Sequence, residues 1–464
     1  MIFLNWKKAY LIGIKGVGLT ALAEILKNLK IKVVGSDTKE KFFTDEVLKK
    51  EKIKFYEGFK KENLEKELPI DIVISSVAYL LPSSMNIEIK TAQKIKLPIL
   101  SYPQALSLIF NNSFGIAICG SHGKSSTTAL LGKIFQELNL DPNVLVGAEV
   151  LEWQKNALVS KNFKEKIYFL KENEDKLKNL NWLRKNLKKL PIFIIEADEY
   201  RDAFLNYFPR IIIITNVDYD HPDYFKNEKE YLKSYLKFIR NLKEPKILIT
   251  HKDFPKIKNV KHFKVDFKNN KKYPFYIPGI HFQKNISLLE KLIEILKLNK
   301  KIFIKAVKNY SGIKRRFEII KNKNNIYLID DYAHHPNEVF SFYQSLKEKF
   351  QDYKKIIIFQ PHTFTRTHFL FNEFIKVFKE IKKDNLTELI IFKSFPSARE
   401  KDIILKIKNL KKDLNLAEKL SLPYFKNFSS LKKYLIKKIK KERKLVIASV
   451  GAGDIYKIFE KFEI

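Results

Sequence analysis

The residues from Phe114 to Leu130 constrain the fold more than any other part of this 464-residue chain. The apolar run Ile116 to Cys119 predicts a buried strand, and a helix is predicted from Ser126 to Leu138. Between them lies the loop Gly120-Ser121-His122-Gly123-Lys124-Ser125. A glycine loop between strand and helix suits a nucleoside triphosphate, because its backbone N–H groups approach the phosphates and the helix N-terminus adds partial positive charge.

Two side chains of this loop fit the same ligand. Lys124 would reach the β- and γ-phosphates, and the Ser125 hydroxyl would bind Mg²⁺. Ile118 stands where the general pattern has its first glycine, so the loop is a shortened variant. A glycine turn before a surface lysine is the alternative, and the flanking strand and helix favour the nucleotide loop.

The formal net charge of +36 would suit a nucleic-acid binder. The lysines are scattered through every segment, however, and do not alternate with aromatic residues along one of them. A solvated lysine-rich surface is therefore the favoured interpretation, and no nucleic-acid partner is expected.

The single cysteine, Cys119, excludes an internal disulfide and favours a reducing compartment. No apolar run approaches the ~20 residues that span a bilayer, and the N-terminus lacks the pattern of a signal peptide. We expect a cytoplasmic protein of two to four domains, without membrane insertion, that is a monomer or a homodimer.

The N-terminal part, residues 1–110, is predicted to be one α/β unit. Its first strand leads into Gly13, Gly16 and Gly18, and its second strand ends in Ser36-Asp37. An acid at this distance from a glycine loop is typical of a dinucleotide-binding unit, where it meets a ribose hydroxyl. The spacing is G-x-x-G-x-G, which points to a phosphate-bearing ligand but not to NAD; a tight turn that needs glycine is the alternative.

Polar residues follow two apolar strands of the second predicted unit. One strand delivers Glu196, and the next, Ile211 to Thr215, leads to Asn216 and His221. Carboxyl ends of parallel strands meet at one sheet edge, and carboxylate, hydroxyl and imidazole groups suit a hard cation that bridges phosphates. Residues 152–190, rich in lysine and asparagine, are predicted to be an inserted helical excursion or a loop. A third α/β unit is predicted from the apolar strands of residues 314–464.

The ordered set of motifs resembles the Mur ligase family of peptidoglycan precursor synthesis. The set comprises Gly13 to Gly18 with Gly35-Ser-Asp37, Gly120 to Ser125, Glu196-Ala-Asp-Glu-Tyr200, Asn216 with Asp220-His221, Arg315-Arg316-Phe317, Asp330 to Pro336, Gln360 to Thr367, and Gly451 to Asp454.

The resemblance implies an α/β protein of three domains. These are a Rossmann-like UDP-sugar-binding domain (1–110), a central P-loop ATPase-type domain (111–313, with the insertion 152–190) and a C-terminal Rossmann-like domain (314–464) that brings the amino acid. The implied activity is that of an ATP-dependent, amide-forming ligase. It would join L-alanine to the lactyl carboxylate of UDP-N-acetylmuramate through an acyl phosphate, with Mg²⁺. A ligase that attaches a recovered tripeptide to the same UDP-sugar is the alternative.

The resemblance also implies roles for individual residues. The UDP-sugar would be held by Gly13, Lys15, Gly16, Val17, Gly18, Ser36, Asp37, Ser75 and Ser76. ATP would be held by Gly120, Ser121, His122, Gly123, Lys124, Ser125, Ser126, Asn216, His281, Asn285, Arg316 and Asp331. Tyr332, His334 and Arg366 would meet the alanine, and Ser125, Glu196 and His221 would bind Mg²⁺. Lys124, Glu196, His221 and Arg366 are the expected catalytic residues.

Overall fold

A computed structural model describes residues 2–81, 85–221, 224–267, 278–396, 412–460 and 462. These residues form three β-sheets with helices around them, which is an α/β architecture. The chain groups into two compact units: Met1–Asp220 with Asn227–Pro274 and Lys284–Ser311, and His221–Lys226 with Phe275–Gln283 and Gly312–Ile464. The first unit contains two of the sheets. None of the helices in the described part of the chain is long and apolar enough to cross a bilayer.

The N-terminal sheet is parallel, with the strand order β3-β2-β1-β4-β5. Its strands are β1 (Lys8–Ile12), β2 (Lys32–Asp37), β3 (Lys54–Glu57), β4 (Ile72–Ser75) and β5 (Ile99–Ser101). Its helices are α1 (Val17–Asn28), α2 (Phe43–Lys50), α3 (Lys61–Glu65), α4 (Ile87–Lys94) and α5 (Tyr102–Phe110). The strand order reverses between β1 and β4, and such a switch point at the carboxyl ends of the strands is where open α/β sheets bind ligands.

The middle sheet has the strand order β12-β11-β10-β6-β9-β7-β8, and only its β7–β8 pair is antiparallel among the described strands. The strands are β6 (Phe114–Cys119), β7 (Asn143–Val150), β8 (Lys155–Leu158), β9 (Ile192–Glu196), β10 (Ile211–Ile214), β11 (Ile247–His251) and β12 (Lys261–Val265). The helices are α6 (Lys124–Glu137), α7 (Phe163–Glu172), α8 (Leu180–Asn186), α9 (Glu228–Arg240), α10 (Ile280–Leu296) and α11 (Lys300–Lys308).

The position of β6 in this sheet explains where the predicted nucleotide loop (residues 120–125) lies. Every residue of β6 is buried, as is each of the four isoleucines of β10, which is the pattern of strands covered on both faces. Since β6 lies between β9 and β10 and all three are parallel, the residues after these strands share one edge of the sheet. Glu196 and Asn216 are therefore neighbours of the loop.

Residues 152–190 are a helical excursion and not a long loop. Phe163, Ile167 and Leu170 of α7 are buried, and their spacing puts them on one face of the helix. The excursion also includes β8, whose Lys155 forms an ion pair with the buried Glu24 of α1. The segment thus belongs to the packed part of the first unit.

The third sheet lies in the second unit and has the strand order β13-β14-β18-β15-β16-β17, with an antiparallel β13–β14 pair. Its strands are β13 (Glu318–Lys323), β14 (Ile326–Asp331), β15 (Lys354–Phe359), β16 (Thr387–Phe392), β17 (Tyr424–Phe425) and β18 (Leu445–Val450). Its helices are α12 (Pro336–Lys349), α13 (Phe364–Phe369), α14 (Phe371–Lys382), Asp413–Leu420 and Phe428–Ile439. The domain borders predicted at 110/111 and 313/314 stay predictions.

Candidate active site

Two glycines give the nucleotide loop its shape. Gly120 has a φ of +130° and Gly123, which precedes α6, has a φ of +80°. A Cβ atom on Gly120 would lie 2.2 Å from Oγ1 of Thr215, and one on Gly123 would lie 2.4 Å from Nδ2 of Asn285. Any side chain at either position would meet both backbone strain and a steric overlap.

The residues after β10 hold the middle of the loop. Thr215 Oγ1 donates a hydrogen bond of 2.7 Å to the carbonyl of His122, and Asn216 Nδ2 donates one of 2.9 Å to the same oxygen. The backbone N–H of His122 donates to Oδ1 of Asn216 at 3.0 Å. Asn216 was predicted as a site residue and Thr215 was not, although its position at a strand end could have suggested it.

The ammonium group of Lys124 lies over the loop and beside an acid that the sequence analysis did not assign. Its Nζ donates to the carbonyl of Gly120 at 2.6 Å and to Oε2 of Glu199 at 3.0 Å. Glu199 is fully buried. Burial lowers the pKa of Lys124, but the Glu199 carboxylate outweighs this effect and holds that pKa above its ordinary value. Lys124 is therefore a charged group inside the site.

Ser125 and Glu196 form the pair predicted to bind a metal ion. The hydroxyl of Ser125 donates to Oε1 of Glu196 at 2.9 Å, and the backbone N–H of Gly147 orients Oε2 at 2.9 Å. A hydroxyl and a carboxylate are the hard oxygen donors that Mg²⁺ prefers, so these two residues fit the ion. His221, the third predicted ligand, is grouped with the second unit, and its part in such a site stays a prediction.

The remaining residues predicted for ATP lie at several places. Ser121 is buried and donates to the carbonyl of Asp218, and the carbonyl of Ser126 accepts from Tyr310 at 3.4 Å. Asn285 is buried in α10, beside Gly123. His281 is exposed in the first turn of α10 and is grouped with the second unit.

The residues predicted for the UDP-sugar lie at the carboxyl ends of β1, β2 and β4, which are adjacent in the N-terminal sheet. They are Gly13, Lys15, Gly16, Val17 and Gly18 after β1, Ser36 and Asp37 at the end of β2, and Ser75 and Ser76 at the end of β4. The N–H of Gly13 donates to the carbonyl of Ser36 at 2.8 Å, and that of Lys15 donates to Oδ2 of Asp37 at 2.6 Å. The glycine loop is thus tied to the second strand.

The Lys15 ammonium is enclosed by its own domain. Its side chain is fully buried, with Nζ 3.0 Å from Oδ1 of Asp45 and within 3.0 Å of the carbonyls of Thr38 and Glu40. Lys15 therefore links the loop after β1 to the residues before α2 and to α2 itself. A phosphate contact by Lys15 stays a prediction.

A buried carboxyl group lies under Ser36. Glu88 of α4 is fully buried and accepts from the Ser36 hydroxyl, from Nδ2 of Asn63 at 2.9 Å and from the N–H of Lys60 at 3.1 Å. Burial raises the pKa of Glu88, and these donors oppose that rise. Glu88 orients the Ser36 hydroxyl. The sequence did not predict this role, because an acid inside a helix has no sequence signal of its own.

Arg316 and Asp331, predicted to hold the nucleotide, are close together in the second unit. Asp331 accepts from the N–H groups of Phe317 at 2.7 Å and Ala333 at 2.8 Å. Burial raises the pKa of Asp331 to about 6, and the positive charge of Arg316 opposes this shift. The Arg316 guanidinium lies 3.6 Å from Oε1 of Glu338.

The residues predicted for alanine are linked to one another through His334 and His362 in the same unit. His334 lies with its ring 5.4 Å from that of Tyr332 and 6.2 Å from that of His362, whose carbonyl accepts from Nη1 of Arg366 at 3.2 Å. Nδ1 of His334 is 2.9 Å from the carbonyl of Tyr332. A carbonyl only accepts, so the proton of a neutral His334 is on Nδ1 and its basic lone pair is on Nε2.

Three family models match consecutive parts of the chain. They are described as Mur ligase family, catalytic domain (residues 8–113), Mur ligase middle domain (residues 118–311) and Mur ligase, glutamate ligase domain (residues 315–451). Together they match most of the chain, in the order of its three sheets.

Similar proteins agree with these matches. The UDP-N-acetylmuramate–L-alanine ligase of Borreliella burgdorferi is 32% identical over 96% of this chain and 94% of that protein. The crystal structure of the UDP-N-acetylmuramate-alanine ligase from Thermotoga maritima has a TM-score of 0.71 at 22% identity, over 98% of both chains. A murein peptide ligase from Psychrobacter arcticus has a TM-score of 0.61 at 18% identity, also over 98% of both. The predicted three-domain α/β fold is confirmed, and the chain belongs to the Mur ligase family.

Proposed function

We propose that this protein is an ATP-dependent ligase that joins L-alanine to the lactyl carboxylate of UDP-N-acetylmuramate, in peptidoglycan precursor synthesis. The observation that carries this proposal is the nucleotide loop, where Lys124 and the Ser125–Glu196 pair lie at one edge of the middle sheet. The full-length similarity to proteins named for this reaction supports the choice of substrates. A cytoplasmic location and a monomeric or homodimeric state are part of the proposal.

A carboxylate is a poor acyl donor because an oxide ion does not leave. In the proposed reaction a carboxylate oxygen attacks the γ-phosphorus of ATP, ADP leaves, and an acyl phosphate forms. The neutral amine of alanine then attacks the acyl carbon, the C–O bond to phosphate breaks, and the nitrogen loses a proton. The products are an amide, ADP and phosphate.

The chain supplies positioning and charge to this reaction, which is what phosphoryl transfer needs most. Lys124 holds a positive charge against the transferring phosphate, and the N-terminus of α6 directs its N–H groups to the same place. Ser125 and Glu196, with His221 as the third proposed ligand, would hold Mg²⁺. When bound, that ion neutralises negative charge on the phosphate oxygens.

The remaining contacts are assigned by domain. The loops after β1, β2 and β4 would bind the UDP-sugar, and Arg316 and Asp331 would hold the nucleotide from the C-terminal domain. Tyr332, His334 and Arg366 would meet alanine. Nε2 of His334 carries a basic lone pair, so this residue is a candidate for the group that takes the amine proton, as is His221.

The test is a reaction of the purified protein with UDP-N-acetylmuramate, ATP, Mg²⁺ and L-alanine, followed by mass spectrometry. We expect the amide and stoichiometric ADP. Product from the tripeptide but not from alanine would instead identify the recycling ligase. Lys124→Ala should abolish product but leave UDP-sugar binding nearly intact, because the sugar nucleotide is assigned to another domain; loss of both would contradict that assignment.

A further inference from the structure

The buried acid beside the nucleotide loop has two different kinds of donor. Glu199 receives both carboxylate contacts of Lys124, with Nζ 3.2 Å from Oε1 and 3.0 Å from Oε2. It also accepts from the hydroxyl of Tyr231, which lies 3.1 Å from Oε1. Because the carboxylate is fully buried, protein groups and not water hold it, and Lys124 and Tyr231 are two of them.

Tyr231 belongs to a pair of tyrosines on one face of α9. Tyr231 and Tyr235 are four residues apart, both are buried, and their hydroxyl oxygens are 3.2 Å from each other. Burial raises the pKa of both hydroxyl groups, so both stay neutral and keep their protons. Tyr235 can then donate to Tyr231, which donates to Glu199.

The same hydroxyl reaches the loop itself. Oη of Tyr231 is 2.8 Å from Oγ of Ser121, which can donate its single proton to that oxygen or to the carbonyl of Asp218. Tyr231 therefore contacts both the loop and the acid that receives Lys124. Besides Lys124 itself, a side chain of a neighbouring helix thus bridges the loop and the acid.

We propose that Glu199 and Tyr231 are positioning residues for Lys124, and that Tyr235 supports them through its hydrogen bond to Tyr231. This proposal rests on the proposed function, in which Lys124 faces the transferring phosphate. A lysine side chain has four flexible bonds, and a fixed carboxylate that accepts two of its contacts restricts the ammonium to one place before ATP arrives. Neither residue is proposed to touch a reacting atom.

The alternative is that these groups only satisfy one another inside the fold. A structural role of this kind would lower the stability of a variant and would affect all substrates equally. A positioning role acts on the phosphate end of the reaction alone. The two interpretations therefore differ in kcat and in nucleotide affinity at equal stability.

The test is Tyr231→Phe, which removes one oxygen atom and keeps the ring. Tyr343→Phe is the matched control, because Tyr343 is also buried and also donates to a carboxylate, that of Asp384, at 3.3 Å. Tyr343 lies in α12, which packs with the third sheet. For each protein we would measure the melting temperature, the affinity for Mg²⁺-ATP by calorimetry, and kcat and KM for alanine.

We expect Tyr231→Phe to lower kcat about tenfold, or about 1.4 kcal/mol in the activation barrier, and to weaken ATP binding about threefold. The KM for alanine should stay within twofold, and the loss of melting temperature should match that of Tyr343→Phe. Glu199→Gln should lower kcat at least about a hundredfold, with partial recovery in Glu199→Asp. The proposal would be overturned if Tyr231→Phe kept kcat and ATP affinity within twofold of the unchanged protein, or if its losses only tracked its stability.

The two proposals fail in different ways. If the unchanged protein formed no amide, the proposed function would fail. The ATP affinities of Tyr231→Phe, Glu199→Gln and Glu199→Asp would still decide on the positioning role. If it formed amide and Tyr231→Phe did so equally well, only the positioning role would fail.

Discussion

Gly120→Ala should disfavour the conformation of the nucleotide loop through backbone strain and through a steric overlap. The φ of +130° at this position is rarely adopted by residues with a side chain, and forcing alanine into it costs about 2 kcal/mol. The added methyl group would lie 2.2 Å from Oγ1 of Thr215, whereas ordinary contact begins at 3.4 Å. Thr215 must therefore move by about 1.2 Å, the difference between these distances.

That movement breaks the hydrogen bond of 2.7 Å from Thr215 to the carbonyl of His122, at a net cost of about 1 kcal/mol. The total of about 3 kcal/mol opposes the loop conformation that is proposed to bind phosphate, and it corresponds to about a hundredfold loss of ATP affinity. The binding of UDP-N-acetylmuramate, assigned to the N-terminal domain, should stay within about threefold.

The assay is titration calorimetry with Mg²⁺-ATP and, separately, with the UDP-sugar. Gly58→Ala is the matched control, because Gly58 also has a positive φ of +87° but a Cβ there would meet no atom within 4 Å. This control should leave ATP affinity within twofold. If Gly120→Ala bound ATP within threefold of the unchanged protein, the loop conformation would not be what holds the nucleotide.

Three further predictions concern other groups. Ser125→Ala should raise the Mg²⁺ concentration that gives half-maximal activity about tenfold, because one proposed oxygen donor is lost. Ser125→Thr keeps the hydroxyl and should not raise it; an equal response of both variants in a Mg²⁺ titration would argue against the assignment. Burial lowers the pKa of His251 from 6.5 to about 4, so its ring should titrate near pH 4 in ¹³C NMR, and titration near 6.5 would refute this. The neutral ring therefore contributes its full stability above pH 6.5, and this contribution is lost as the pH falls toward 4. Lys15→Met leaves Asp45 without its buried partner, which should cost about 3–5 kcal/mol and lower the melting temperature by several degrees in calorimetry; an unchanged melting temperature would show that the pair is not needed.

The sequence predicted the parts of the fold that depend on local pattern. The apolar run before Gly120 is β6, and the run expected over residues 211–215 is β10, because a strand buried on both faces needs consecutive apolar residues. The edge strands β13 and β17 were not predicted. Both are only partly buried and the latter has two residues, so neither carries a strong hydrophobic signal.

In the candidate site too, local motifs could be predicted from the sequence and contacts between distant residues could not. Lys124 and Ser125 are neighbours in sequence, so their loop could be identified directly. The contact between Lys124 and Glu199 joins residues 75 positions apart, and Tyr231 adds a third element. In the sequence, Tyr231 and Tyr235 show only the i, i+4 spacing of a buried helix face, which does not say where their hydroxyl groups point.

The central step of the proposed reaction is the conversion of the lactyl carboxylate to an acyl phosphate. The most direct measurement uses UDP-N-acetylmuramate with oxygen-18 at both oxygens of that carboxylate, together with ATP and L-alanine, and mass analysis of the phosphate released. We predict one oxygen-18 atom in each phosphate molecule, since the C–O bond breaks when the amine attacks. Phosphate free of oxygen-18, or label carried into AMP, would contradict the claim.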